Sequence, residues 1–253
     1  MARYNQSAIR IPNSAIVVAA GSSSRMGGKV RKPYLKLRGK PILAWTLKAL
    51  GGIPGLQQIV LVTRPDDRTR AAAAAKLAKL PKHVKLDFAN GGARRQDSVF
   101  NGLKVVSNNS KLVLIHDAAR PFPSRTAIEA ACAQANESGA AILACRVRDT
   151  VKRAADPNGP AGKMPWVQIW ETIPRNDLWL AQTPQVFRRD LILALVERIA
   201  RREPEREFTD DAAIFEYFGV PVAIIESSET NLKVTRPEDL MIAEMLLRRS
   251  RTR

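Results

Sequence analysis

The 253-residue sequence predicts an α/β fold, a doubly wound and mostly parallel sheet with a projecting β-arm. Three observations lead there. Apolar runs of strand length alternate with amphipathic segments of helix length along most of the chain. Several of those runs are continuously apolar, as strands covered on both faces must be. One segment, 148–180, breaks the alternation with Pro157, Gly159, Pro160, Gly162, Pro165 and Pro174.

The elements follow in order. "AIVVAA" (15–20) reads as the first strand and runs into a loop of small and basic residues. A helix is expected near 41–51, a strand at "QIVLVT" (58–63), and a helix near 66–80, where the alanine run 71–75 is a strong helix former. "VKLDF" (84–88) is the next strand, and Val99, Leu103 and Val106 give helical spacing over 94–107. "LVLIH" (112–116), a helix near 124–138 and "AAILACRV" (140–147) continue the pattern. In the arm, "DTVKRA" (149–154) and "WVQIWETI" (166–173) alternate as two strands around a Pro/Gly turn. Its Trp166, Trp170 and Trp179 need cover, which either a small subdomain or a second subunit supplies. Helices near 187–202 and 209–218, a strand "PVAIIE" (221–226) and a helix near 236–248 close the chain. Thr235 and Glu238 have capping-box spacing, with Pro237 in the first turn.

Composition narrows the function classes. No apolar run reaches the roughly 18–20 residues of a membrane span, and the N-terminus shows no apolar signal core. Cys132 and Cys145 are too few for a disulfide framework, which fits a reducing, cytoplasmic setting. The net charge of +17 raises nucleic-acid binding as a rival. No zinc-finger spacing, helix-turn-helix cue or aromatic RNA-binding motif supports it, so neither a specific nucleic acid nor a membrane is expected as partner. The distribution of charge is more telling: no Asp or Glu precedes Asp66, and the first basic block surrounds the loop after strand one.

That loop, "GSSSRMGGKVRKP" (21–33), stands at the carboxyl edge of the sheet, where open α/β sheets bind ligands. It lacks the GxGxxG of a dinucleotide site, because serines follow Gly21. It also fails the Walker pattern: Gly21 and Gly27 are one residue too far apart, and Val30 follows Lys29. Small residues that let backbone N–H groups approach an anion, with Arg25 and Lys32 as fixed charges, still describe a polyphosphate loop.

"AAGSSSRM…KP" resembles the signature of the nucleotidyltransferases that activate sugars and polyols as nucleotide diphosphates, a Rossmann-like fold. "GGARRQDSVFNGL" (91–103), "LIHDAARPF" (114–122), "VRDTVKRA" (147–154), "QTPQVF" (182–187), "TDDAAIFEYFG" (209–219) and "NLKVTRPEDL" (231–240) sharpen it. Together they resemble the 2-C-methyl-D-erythritol 4-phosphate cytidylyltransferases of non-mevalonate isoprenoid biosynthesis. The resemblance implies one nucleotidyltransferase domain over 14–247, with 148–180 as a dimerisation and substrate arm and basic termini at 1–13 and 248–253. It implies transfer of CMP from CTP to the polyol phosphate with release of pyrophosphate. The closely related ribitol 5-phosphate cytidylyltransferase is the alternative.

The resemblance also implies roles. Arg25, Lys32 and Lys233 would stabilise charge at the α-phosphate. Ala19, Ala20, Gly21, Gly92 and Ser98 would line the nucleotide pocket, largely through backbone groups. Asp117 would help hold Mg²⁺ or another divalent cation. Thr150 and Arg175 would contact the polyol phosphate in a homodimer partner's site, and Thr209 and Asp210 would lie near the polyol. His116 reads as a packed neighbour rather than a catalyst. The chain departs from the family at "RKPY" (31–34), where Pro-Lys-Gln-Tyr is usual. Lys32 keeps its place, Pro33 now follows it, and Arg31 is an extra cation placed to share its work.

Overall fold

Alternate residues of the first strand, β1 (Asn13–Val18), enter two different cores. Ala15 and Val17 join one cluster, and Ile16 joins another, on the opposite face. This double burial is what the continuously apolar runs encode. The computed structural model describes residues 11–21, 30–155 and 167–249. Arg25, Trp166, the Pro/Gly turn of the arm and most of the basic termini lie outside the described residues.

After β1 come a short pair, β2 (Lys36–Leu37) and β3 (Lys40–Pro41), then α1 (Ile42–Gly51), β4 (Leu56–Thr63), α2 (Arg68–Ala78) and β5 (Lys85–Asn90). Next are α3 (Arg95–Leu103), β6 (Leu112–Asp117), α4 (Arg125–Ser138) and β7 (Ala140–Arg146). The arm pairs β8 (Val151–Ala154) with β9 (Ile169–Ile173), antiparallel, as the alternation predicts. β10 (Trp179–Arg188), α5 (Arg189–Arg202), α6 (Ala212–Tyr217), β11 (Ala223–Glu226) and α7 (Pro237–Arg249) complete the order.

Seven strands form one sheet in the order β11-β7-β10-β6-β1-β4-β5. All neighbours are parallel except β10, which runs antiparallel to both β6 and β7. The helices α1, α2 and α4 cover one face through Leu43, Leu47, Ala71, Ala74, Ile128 and Ala131. The helices α3, α5 and α6 cover the other through Val99, Leu103, Ile192, Val196 and Phe215. α7 caps a third, smaller cluster with Leu37, Ile42 and Val234.

Three expectations change. The helix expected over 94–107 ends at Leu103, and Val106 reaches the same core from the following loop. The cap of α7 is built by Asp239, not Glu238: its carboxylate accepts from the Thr235 N–H and hydroxyl and from the Arg236 N–H. Asp239 stands three residues after Arg236, the last residue before the helix, which is the position from which an acidic side chain reaches back. Finally, the arm gives way at Trp179 to β10, a strand the sequence reading lacks.

The chain path makes β1 the switch point. From β1 it turns to β4 and β5 on one side, and later to β6 on the other. Val18 lies level with Val62 of β4 and Asp117 of β6. Loops leaving these ends must diverge, and the crevice between them is the ligand position of open α/β sheets.

Candidate active site

A cavity of about 510 Å³ opens above the carboxyl ends of β1, β4 and β6, a size suited to a nucleotide. β1 runs on into Ala19, Ala20 and Gly21, all on its wall. The Ala19 N–H is held by the Val62 carbonyl at 2.8 Å, so the strand's direction continues into the loop. Lys32 and Pro33 enter from a short 3-10 turn, Lys32–Tyr34, closed by Tyr34 N–H to Arg31 O at 2.9 Å. Lys233 and Thr235 come from the segment before α7, and Arg64 from the end of β4.

Gly92 and Ser98 build the wall at the start of α3. The Ser98 hydroxyl accepts from the Gly92 N–H at 3.0 Å and donates to the Arg94 carbonyl at 3.3 Å. The loop therefore folds tightly onto the helix that follows it. A Cβ on Gly92 would sit 2.3 Å from Asp97 Cβ and 3.0 Å from Asp97 carbonyl carbon. Only glycine fits there. Arg94, beside it, is tied to Asp97 at 2.8 Å.

Asp117, at the tip of β6, is the only carboxylate among the described residues that line the cavity. Three cations converge on it: Lys233 Nζ at 2.8 Å and Arg120 Nε at 3.4 Å on Oδ2, and Arg95 Nε at 3.7 Å on Oδ1. Burial opposes its ionisation, but Lys233, Arg95 and Arg120 outweigh that and hold it well below the usual carboxylate range. Arg95 is anchored from behind by fully buried Asp211 at 2.8 Å. Burial pushes Asp211 upward, against the pull of Arg95.

A polar network under the cavity explains this precision. The Asp117 N–H donates to Thr183 Oγ1 at 3.1 Å, and that hydroxyl donates to His116 Nδ1 at 3.1 Å. His116 Nε2–H then donates to the Arg120 carbonyl at 3.0 Å. Burial lowers His116 to a pKa of about 4, so it is neutral and enclosed. It is a packed support, as the sequence suggests. Gln185 donates to Asp210 at 2.8 Å and accepts from the N–H groups of Asp211 and Ala212. Asn231 donates to Gln182 Oε1 and to the Thr183 carbonyl, both at 2.9 Å. The central strand β10 thus carries buried amides and hydroxyls that hold the "HDAAR", "TDDA" and "NLKV" segments together.

The structure brings Ala19, Ala20, Gly21, Lys32, Gly92, Ser98, Asp117 and Lys233 around one cavity. Arg25 lies outside the described residues. Thr150 and Arg175 do not line that cavity. Thr150 is exposed at the foot of the arm, and Arg175 donates to the Arg148 carbonyl beside a second hollow formed with Ser228 and Glu229. Thr209 is exposed, and Asp210 stands outside the cavity lining, bonded to Gln185 and acting electrostatically on Arg95. Sequence reasoning missed Arg95, Arg120, Arg64 and Thr183. Arg95 and Arg120 lie inside quoted motifs, each three residues after Gly92 or Asp117, and that cation spacing was the available signal; Arg64 directly follows the strand "QIVLVT". Arg31 does not enter the cavity lining; it pairs with Asp67.

Among the described residues no cluster of three or more His, Cys, Asp or Glu could cage a metal by itself. The donor set is one ionised carboxylate facing a cationic cavity. That fits a divalent cation delivered on phosphates, since Mg²⁺ in such sites takes one or two protein carboxylates and fills its shell with phosphate and water.

The chain matches the family model described as IspD, 2-C-methyl-D-erythritol 4-phosphate cytidylyltransferase, over residues 14–249. It is 39% identical to the enzyme of that name from Desulforamulus reducens, over 93% of this chain and 95% of the relative. The crystal structure of 4-diphosphocytidyl-2C-methyl-D-erythritol synthase from Anaerococcus prevotii superposes with a TM-score of 0.79 at 30% identity, covering 97% of this chain and all of the other. That of 2-C-methyl-D-erythritol 4-phosphate cytidylyltransferase from Thermus thermophilus gives 0.72 at 32% identity, over 94% of this chain. The ribitol 5-phosphate alternative finds no support among these relatives.

Proposed function

The chain belongs to the 2-C-methyl-D-erythritol 4-phosphate cytidylyltransferase family and transfers the cytidylyl group of CTP to that polyol phosphate in the non-mevalonate isoprenoid pathway, and on this premise we propose which of its residues do the work. The observation that carries the assignment is the convergence of Lys32, Lys233 and Arg95 on the cavity around Asp117.

In the reaction a phosphate oxygen of methylerythritol phosphate forms a bond to the α-phosphorus of CTP. The bond from that phosphorus to the bridging oxygen breaks, and pyrophosphate leaves with its electron pair. The nucleophile is anionic at neutral pH, so no general base is required, and catalysis rests on positioning and charge stabilisation. Lys32 and Lys233 are assigned to the charge that builds on the α-phosphate oxygens, together with Arg25. Ala19, Ala20, Gly21, Gly92 and Ser98 are assigned to the nucleotide. The Ser98–Gly92 hydrogen bond fixes the loop whose backbone the base would meet.

Mg²⁺, when bound with CTP, would neutralise triphosphate charge, and Asp117 would hold it. Oδ1, with Arg95 at 3.7 Å, is the less engaged oxygen. Arg95 and Arg120 then act as fixed counter-charges that keep Asp117 ionised and aimed.

The arm reading is a homodimer with shared sites. Its support is the exposed apolar surface of Val167, Ile169, Trp170 and Leu180, and the placing of Thr150 and Arg175 away from their own chain's cavity. Thr209 and Asp210 complete the polyol side. No helix among the described residues is long and apolar enough to cross a membrane, and a cytoplasmic enzyme is the reading that fits the two free cysteines.

The test is Lys32→Ala in a pyrophosphate-release assay with CTP, Mg²⁺ and methylerythritol phosphate. Turnover should fall by roughly 10²–10³-fold with unchanged thermal unfolding. Wild-type turnover would remove Lys32 from the chemistry.

A further inference from the structure

In "RKPY" Arg31 directly precedes Lys32, and Pro33 follows it. Arg31 does not point its charge into the cavity. Its guanidinium pairs with Asp67, whose side chain is only 2% exposed, while Arg31 itself is 25% exposed. Asp67 has a second, longer cation contact, Arg70 at 3.6 Å. It sits in the turn Pro65–Asp67 that links β4 to α2, with its N–H on the Arg64 carbonyl at 3.1 Å.

The pair therefore ties two cavity-lining segments together. On one side is Arg64, at the end of β4; on the other is Lys32, the residue after Arg31. On the Lys32 side the backbone is already stiff. Arg31 has φ −70° and ψ 147°, Tyr34 N–H returns to its carbonyl at 2.9 Å, and Leu35 N–H returns to Lys32 O at 3.2 Å. Pro33 fixes one more dihedral, and Pro33 and Tyr34 are buried. A stiff turn transmits orientation only if its entrance is fixed, and the entrance here is Arg31. Arg suits this role because its planar fork engages a carboxylate with defined geometry, which a lysine ammonium does not.

We propose that the Arg31–Asp67 pair is a positioning device that aims Lys32 at the reacting phosphate, and that Arg31 is not itself a phosphate ligand. The proposal rests on the assignment of Lys32 given above. It predicts a loss that acts through Lys32 and appears in kcat. A misplacement of the order of an ångström in a charge-stabilising group is worth up to about 100-fold in rate.

The experiment is steady-state kinetics of Arg31→Gln, Arg31→Lys, Asp67→Asn and the double variant Arg31→Gln/Asp67→Asn, each also made in the Lys32→Ala background. Arg31→Gln and Asp67→Asn should each lower kcat by about 10–100-fold, with the KM for CTP changed less than about threefold. Arg31→Lys should recover part of the loss, and the double variant should be no worse than the worse single one. In the Lys32→Ala background, Arg31→Gln should cost less than about twofold more. Unfolding temperatures identify any variant that fails to fold; the neutral double variant then carries the comparison, because it leaves no unpaired buried charge.

Two results overturn the proposal. Additive losses from Arg31→Gln and Lys32→Ala, with Asp67→Asn at wild-type rate, would make Arg31 a phosphate ligand. Wild-type kcat in Arg31→Gln would leave the pair without a part in the reaction. Failure of the underlying assignment looks different, because Lys32→Ala alone would then keep wild-type turnover.

Discussion

Lys233 Nζ sits 2.8 Å from Asp117 Oδ2, joining a lysine from the segment before α7 to the tip of β6. Two chain segments far apart in sequence thus meet at one carboxylate. Before CTP binds, Asp117 offsets the charge of the half-exposed lysine. The bound triphosphate and its cation then compete for both partners, so each should shape how nucleotide and metal bind together.

Asp117→Asn separates these roles. The asparagine keeps the shape but leaves Lys233, Arg95 and Arg120 without their shared anion. We expect turnover to fall by roughly 10²–10³-fold and the half-saturating Mg²⁺ concentration to rise. The affinity for CTP without divalent cation should not fall, because a negative charge has been removed from beside a polyanion. Magnesium titrations of turnover and calorimetry with metal-free CTP measure the two effects.

The Gly92 loop gives a prediction of the opposite kind. Ser98→Ala removes the acceptor of the Gly92 N–H and should raise the KM for CTP by roughly fivefold, from the loss of about 1 kcal/mol of hydrogen bonding. Gly92→Ala should be worse, since its Cβ would meet Asp97 Cβ at 2.3 Å and force the loop off α3. Both effects should lie in KM more than in kcat. Equal losses in kcat with unchanged KM would contradict a nucleotide-binding wall.

The strand and helix alternation was legible because each parallel strand is apolar on both faces, and Ile16 and Val17 already declare it. β10 was not, for a physical reason. Its interior holds Gln182, Thr183 and Gln185, each at most 5% exposed, with Pro184 among them, and a proline inside a run argues against a central strand. The ladder accommodates it by slipping: Gln182 faces Leu143 and Gln185 faces the adjacent Ile142, so Thr183 and Pro184 stand outside the pairing. Buried polar residues on a strand carry no hydropathy signal; their meaning is in the partners they find across the fold. Lys32 and Asp117 were legible from their motifs. That Arg31 spends its charge on Asp67 was not, because the two are brought together only by the packing of the turn against α2.

Acid should weaken the fold through His116. Burial depresses its pKa from 6.5 to about 4, so the unfolded chain binds a proton in that interval and the folded chain does not. Its contribution is fully present above about pH 6.5 and is lost progressively as pH falls toward 4, on the order of 3 kcal/mol in all. Asp117 does not share this window, because its carboxyl is held below the ordinary carboxylate range. Asp211, raised by burial, works in the opposite sense. Urea unfolding at pH 7, 6, 5 and 4.5 should show the decline, and His116→Gln should flatten it even if it lowers stability at pH 7.

The arm makes the last prediction. Arg175 lies beside Arg148, Ser228 and Glu229 rather than in the cavity that holds Lys32, and Trp170 is 73% exposed nearby on β9. If the arm completes a partner's site, a mixed dimer of Lys32→Ala and Arg175→Ala has one site carrying both defects and one carrying neither. Each pure variant should show a small fraction of wild-type turnover, and the mixture, after subunit exchange, should recover up to about a quarter of it, the statistical share of intact sites when half the dimers are mixed. Exchange must be verified independently, by mass spectrometry of tagged subunits. Recovery absent from verified mixed dimers would mean that each chain closes its own site, and would move Arg175 from the polyol phosphate to the structure of the arm.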